Sequence, residues 1–136
     1  MRKFEILEHT ADLKIKVFGK DKKELFENAM LGIFEGAEYG AMVGSPKIER
    51  EIKISSYDLF SLLVDFLSEL LYLSEVNQEV YDKIELKEFL DTNLEGTLSG
   101  KKLKNKGIII KGVTYHELKI SQLKDGSWEA VILFDI

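Results

Sequence analysis

The most constraining feature of this sequence is a regular apolar stripe in the middle of the chain, between Tyr57 and Leu73. Its members recur at intervals of three and four residues, the period of one helix face. They are Leu59, Leu62, Leu63, Phe66, Leu67, Leu70 and Leu71. Ser55 or Ser56 can cap the N-terminus of this helix. Such a stripe can bind a partner helix, but packing in the protein's own core is the favoured interpretation.

A second helix is predicted after Asp21. Asp21 and Glu24 have the spacing of a capping box, and Gly36 is a natural stop. Between them, apolar residues again follow the helical period: Leu25, Phe26, Ala29, Met30, Ile33 and Phe34.

The rest of the chain alternates between apolar and polar residues, a pattern typical of strands. The predicted strands are Leu13–Val17, Lys47–Ile54, Lys83–Phe89, Leu94–Leu98, Gly112–Gln122 and Ser127–Ile136. Asp125 and Gly126 form a hairpin signal between the last two, because this pair tolerates the positive φ that such turns require. We therefore predict an α+β, two-layer fold in which two helices pack on a mostly antiparallel or mixed sheet, as one domain spanning residues 1–136.

Composition excludes several classes of protein. The 136 residues include no cysteine, which excludes disulfide frameworks, zinc–thiolate sites and cysteine nucleophiles. No stretch approaches the roughly 18 uncharged apolar residues needed to span a bilayer, and the N-terminus lacks the apolar region of a signal peptide. We expect a cytoplasmic protein that does not contact membranes.

Charge argues against stable RNA binding by the chain alone. The chain has 24 acidic and 19 basic residues, a formal net charge of −5, whereas proteins that grip phosphates normally carry a basic face. The only dense basic run, Lys101–Lys106, is predicted to be a solvated, mobile loop. RNA contact is therefore expected to be indirect or transient.

Most catalytic constellations are missing. The sequence contains no phosphate-binding loop, no nucleophile elbow and no His-Glu-x-x-His helix. Its two histidines, His9 and His116, cannot build a three-histidine metal site, and either one alone is more often a hydrogen-bonded structural residue than a catalyst.

Oxygen ligands remain at the two ends of the chain. Asp12 immediately precedes the first clear strand, and an apolar strand ends on Asp135 and then on the terminal carboxylate of Ile136. If these groups converge, three hard oxygen donors meet, which suits calcium, magnesium or manganese. The alternative is that Asp12 caps a turn and the chain end frays in solvent, and the residues alone favour that alternative.

Four segments, taken together and in order, resemble the archease family. They are His-Thr-Ala-Asp at 9–12 with the helical pattern Glu-Leu-Phe-Glu-Asn-Ala that follows, the central helix at 62–72, Lys-Gly-Val-Thr-Tyr-His at 111–116, and the closing Phe-Asp-Ile at 134–136. The resemblance runs from one end of the chain to the other. Gly112 departs mildly from the family form, in which alanine is common.

The resemblance implies that Asp12, Asp135 and the terminal carboxylate of Ile136 bind a divalent cation, with calcium expected and magnesium or manganese as alternatives. It also implies a partner, because archeases assist the GTP-dependent RNA ligase that joins tRNA exon halves. In that role they promote guanylylation of the ligase and its repeated turnover. Lys111 and Glu24 match family positions linked to this activation.

Two other functions stay open. One is a chaperone-like modulator of another RNA-modifying enzyme, such as a tRNA methyltransferase. The other is a metal-dependent hydrolase with His9 or His116 as general base beside the metal. The chain offers no further nucleophile and no Gly-rich oxyanion turn, so an accessory protein is expected rather than an enzyme.

Overall fold

The computed structural model of the chain describes residues 2–8 and 12–136, where it has two helices and eight strands. In chain order they are β1 Phe4–Glu8, β2 Asp12–Gly19, α1 Lys22–Gly36, β3 Gly40–Ala41, β4 Ile48–Ser55, α2 Leu59–Asn77, β5 Glu79–Leu90, β6 Asn93–Asn105, β7 Gly112–Gln122 and β8 Trp128–Asp135. The α+β prediction is confirmed.

The strands form two antiparallel sheets, whereas the sequence predicts one. The first sheet has the order β1-β2-β8-β7. In the second sheet β6 is central and pairs with β3, β4 and β5. The first sheet therefore joins the two ends of the chain, with β2 and β8 as its inner strands.

Both helices pack against strands of both sheets. Helix α1 contacts β2 and β5, and α2 contacts β7, β5 and β4. Their buried faces meet in one hydrophobic core, where the rings of Phe26 and Phe66 lie 5.6 Å apart between centroids. The apolar stripes predicted from the sequence therefore cover the inner faces of the sheets.

Helix α1 begins as predicted. The Glu24 N–H donates to the Asp21 carboxylate at 2.9 Å, so Asp21 is the N-cap. The Glu24 carboxylate reaches back and accepts the N–H of Lys20 at 2.9 Å. The first bond satisfies a backbone donor that the first helical turn leaves without a partner, and the second ties the residue before the N-cap to the helix.

Helix α2 begins and ends later than predicted. Its N-cap is Asp58, which accepts the Ser61 N–H at 2.8 Å. Neither predicted serine caps it, and the Ser56 hydroxyl instead donates to the Asp65 carboxylate at 2.6 Å. The helix continues to Asn77, where Gln78 adopts a left-handed conformation with φ of 54° and ends it.

The basic run is not a loop, so that prediction is wrong. Residues Lys101–Asn105 belong to β6 and pair with β5 and β3. Lys106, the last of the run, forms an ion pair with Glu75 of α2 and lies 5.5 Å above the Tyr39 ring. Strand pairing and these contacts hold the run in place, although the flanking Gly100 and Gly107 suggest a mobile loop.

The hairpin between β7 and β8 has the predicted turn. Gly126 adopts a positive φ of 91°. The Asp125 carboxylate accepts the Ser127 hydroxyl and also the Ser127 N–H, the latter at 2.9 Å. The hydroxyl bond first, and then the N–H bond, lower the pKa of Asp125 and fix the turn. Among the described helices, none has the length and apolar character needed to cross a membrane.

A buried carboxylate ties the second sheet together. Glu79 is 1% exposed and accepts two hydrogen bonds from Arg50, from Nε at 2.9 Å and from Nη2 at 2.8 Å. The Tyr81 hydroxyl donates to the same carboxylate at 2.6 Å. The bonds from Arg50, and then the bond from Tyr81, lower the pKa of Glu79 against the effect of burial.

Replacing this carboxylate is expected to destabilise the fold in a pH-dependent way. Glu79→Gln leaves Arg50 without its charged partner, so the free energy of unfolding should fall by about 2 kcal/mol at neutral pH. A lowered folded-state pKa gives stability that is present above the ordinary value of 4.5 and is lost as pH falls through the folded value. The difference in unfolding free energy between wild type and variant should therefore narrow as the pH falls below 4.5.

Urea unfolding at a series of pH values measures this difference. Glu85→Gln, which changes an exposed carboxylate on the same strand, is the matched control and should alter stability little at any pH. A gap between wild type and Glu79→Gln that stays constant with pH would contradict the assignment.

Candidate metal centre

The first sheet brings Asp12 and Asp135 together. Asp12 begins β2, Asp135 ends β8, and the antiparallel register places the two residues directly opposite each other. Directly opposed residues project to the same side of a sheet with Cβ atoms about 5 Å apart. Two carboxylates from opposite ends of the chain therefore meet at one end of the β2–β8 ladder.

The two carboxylates lie on the outer face of the first sheet, away from the helices. Their neighbours Leu13 and Phe134 point inward and are buried in the core. Since side chains alternate along a strand, Asp12 and Asp135 point outward, and Asp135 is exposed. The pair therefore lies on the solvent-facing side of the sheet, with Asp135 exposed and Asp12 partly buried.

Ile136 is held beside this pair. It follows Asp135 past the end of β8, and its side chain is half-buried against the hydrophobic core. That packing keeps the backbone of Ile136 next to the two aspartates. The structure thus brings together the three residues of the predicted metal site.

Lys111 reaches the same end of the sheet through its backbone. Its N–H donates to the Asp135 carbonyl at 2.7 Å, and the next residue, Gly112, pairs with Asp135 across β7 and β8. Lys111 also lines a groove of about 690 Å³ between α2 and the segment 106–113, where Tyr72 and Ile109 are exposed. The groove is a feature that the sequence analysis missed.

Glu24 lies at the other end of the sheet. Helix α1 follows directly after β2, whose eight residues separate Asp12 from Gly19 by roughly 23 Å. The Glu24 carboxylate is engaged in capping α1. Burial raises the pKa of Glu27 one turn later, and the charges of Glu24 and Asp21 raise it further. The structure therefore does not join Glu24 to the aspartate pair.

A wide bulge in β7 lies beside the site and was also missed. Thr114 pairs with Leu133 and Lys119 pairs with Val131. The four residues 115–118 between them therefore have no partner residue on β8 in the register. His116, a hypothetical general base, is exposed in this bulge. A signal for it exists, because the apolar alternation changes phase between Tyr115 and Leu118. His9, the other hypothetical base, lies outside the described residues.

The donor set fits a hard cation. In the part of the chain that the structure describes, no three His, Cys, Asp or Glu side chains cluster in a way that holds a metal. Two carboxylates at Asp12 and Asp135 are present, and the predicted third ligand is a backbone carboxylate at Ile136. An all-oxygen set of this kind suits calcium, magnesium or manganese better than zinc or copper.

Comparison with known proteins identifies the family. A model described as the archease protein family matches residues 4–136. This chain belongs to the archease family. Protein archease of Methanosarcina barkeri is 38% identical over 147 aligned positions, which cover 99% of this chain and 97% of the relative. Protein archease of Thermococcus kodakarensis is 34% identical, with both chains covered completely.

Solved structures agree with this family membership. The solution structure of a Methanobacterium thermoautotrophicum protein matches with a TM-score of 0.71 at 30% identity and covers 100% of both chains. A crystal structure of an archease from Thermotoga maritima, described as a possible chaperone, matches with a TM-score of 0.69 at 24% identity. It covers all of this chain and 98% of its own length and supports the fold.

The opposed aspartates predict an unusual stability effect. Like charges directly across a strand pair are destabilising, so Asp135→Asn should raise the free energy of unfolding by about 0.5 kcal/mol in the presence of EDTA. Glu129→Gln is the matched control, because Glu129 lies on the same strand opposite the uncharged Phe18. It should have little effect. Urea unfolding measures both variants, and a loss of stability in Asp135→Asn under chelation would show that the carboxylates do not repel.

Proposed function

We propose that this chain is a metal-binding accessory protein of the tRNA-splicing RNA ligase and acts in the cytoplasm. It would promote guanylylation of the ligase and allow repeated turnover, without performing chemistry on RNA itself. The observation that carries the proposal is the direct pairing of Asp12 with Asp135 in a member of the archease family. This pairing supports the proposal because Asp12 and Asp135, two of the three ligands that the resemblance implies, lie opposite each other.

Asp12, Asp135 and the backbone carboxylate of Ile136 would hold the cation. Calcium is the expected ion, because it accepts carboxylate oxygens in flexible geometry, while magnesium and manganese are alternatives with the same preference for oxygen. When bound, a divalent cation would supply positive charge and could be coordinated by phosphate oxygens. The aspartates supply the negative charge that retains it, and the backbone of Lys111 fixes the Asp135 carbonyl.

Lys111 and Glu24 would contribute in different ways. The Lys111 side chain is exposed and lines the groove beside α2, so it is available to a partner. Glu24 is roughly 23 Å away along β2 and caps α1, so we propose that it acts by fixing the start of that helix. A ligase that contacts the aspartates would therefore also reach Lys111, which lies near them, whereas Glu24 lies at the other end of the sheet.

RNA contact would be indirect or transient. The chain has a net charge of −5, and the residues proposed to bind metal add negative charge at the site. Of the basic run, Lys106 already pairs with Glu75. Recognition of the RNA would therefore belong to the ligase, with this chain acting on the ligase and its nucleotide.

The test is ligase turnover with GTP, a divalent cation and a broken tRNA, measured with and without this protein. Wild-type protein is expected to raise the number of ligations per ligase molecule, and Lys111→Ala should reduce that gain about tenfold or more while changing stability by less than about 0.5 kcal/mol. Lys119→Ala is the matched control, since Lys119 is an exposed lysine on the neighbouring strand β7.

The outcomes separate the parts of the proposal. No gain with wild-type protein would contradict the accessory function. A full gain with Lys111→Ala would keep the function and remove Lys111 from the site. Equal losses in Lys111→Ala and Lys119→Ala would indicate a general effect of surface charge.

A further inference from the structure

The outer face of the first sheet carries a lysine beside the aspartate pair. Lys14 lies two residues after Asp12 on β2, so both side chains project to the same face. Lys14 pairs with Leu133, which places it diagonally across from Asp135 at about 7–8 Å. Within this distance, the long side chain of Lys14 can reach either carboxylate.

The structure directs Lys14 elsewhere. Its Nζ lies 3.6 Å from Oε2 of Glu117, which belongs to β7. Because β8 separates β2 from β7, this contact crosses a whole strand. Glu117 belongs to the bulge at 115–118, which lies outside the pairing with β8.

The backbone of the bulge supports this arrangement. Glu117 adopts a positive φ of 57°, which is uncommon for a residue with a side chain. Leu133, on the outer face between the two ion-pair partners, is only 6% exposed. The Thr114 hydroxyl accepts the His116 N–H at 2.8 Å and fixes the start of the bulge. The bulge, fixed at its start, therefore presents the Glu117 carboxylate to Lys14.

We infer that Glu117 holds Lys14 away from Asp12 and Asp135 and thereby sets the affinity of this pair for a divalent cation. The inference rests on the proposed metal site. A lysine ammonium is an internal competitor for carboxylates, because it neutralises them without any cation from solution. When Glu117 occupies that ammonium, the aspartates keep their negative charge for the metal. Lys14 and Glu117 are thus positioning residues and not ligands.

Calorimetric titration of calcium into the full chain at low ionic strength tests this inference. Glu117→Gln releases Lys14 and should weaken calcium binding about fivefold, whereas Lys14→Met should strengthen it about threefold. In the Lys14→Met background, Glu117→Gln should have at most about a twofold effect, because no lysine remains to be released. This coupling separates a held lysine from a simple change in net charge.

Two control variants make the same charge changes at a distance. Lys16→Met removes the next lysine on the same face of β2, and Glu129→Gln removes a carboxylate farther along β8. Both should change calcium affinity less than about twofold. Circular dichroism of each variant verifies that the fold is retained.

Each result decides one point. Equal calcium affinity in wild type, Glu117→Gln and Lys14→Met overturns the role of the ion pair and leaves the metal site standing. An equal effect of Glu117→Gln in both backgrounds also overturns it, because the effect is then one of net charge alone. Absence of calcium, magnesium and manganese binding in wild type removes the metal site itself, and with it the role of Lys14.

Discussion

The structure depends on the antiparallel pairing of β2 with β8. This ladder is the centre of the first sheet and joins the start of the chain to its end. Its inner face contributes Leu13 and Phe134 to the core, and the same register sets Asp12 opposite Asp135 on the outer face. A shift of one residue would expose the apolar set and separate the carboxylates. The register that buries the apolar side chains is therefore the same register that pairs Asp12 with Asp135.

Local signals made the helices and several strands predictable. Helix α1 and β7 occur where periodicity and capping residues place them, because these signals act within a few residues. Strand β3 was not predictable, since its two residues, Gly40 and Ala41, are a strand only through pairing with β6. The basic run was misassigned for a similar reason, because pairing with β5 overrides its local composition. Such long-range pairings leave no periodic signal.

The site was predictable only in part. The sequence made Asp12 and Asp135 candidate oxygen ligands through the resemblance to archeases, while the residues alone favoured a turn cap and a frayed chain end. That the two residues lie opposite each other follows only from the β2–β8 register. The separation of Glu24 from Asp12 was predictable, because the strand Leu13–Val17 lies between Asp12 and the helix that carries Glu24. The ion pair between Lys14 and Glu117 depends on a bulge that carries one strand over another. The chemical type of each candidate side chain follows from the sequence, whereas its position relative to the others depends on strand pairing.

The most direct test of the central claim is to locate bound metal on this ladder. In a titration with substoichiometric Mn²⁺, a paramagnetic ion, we expect the amide NMR signals of Asp12, Gly112 and Asp135 to broaden first. The signals of Gly19 and Trp128, which pair at the far end of the same two strands, serve as an internal control and should persist. Early broadening at Gly19 and Trp128, or equal broadening at both ends of the ladder, would contradict a metal site formed by the opposed aspartates.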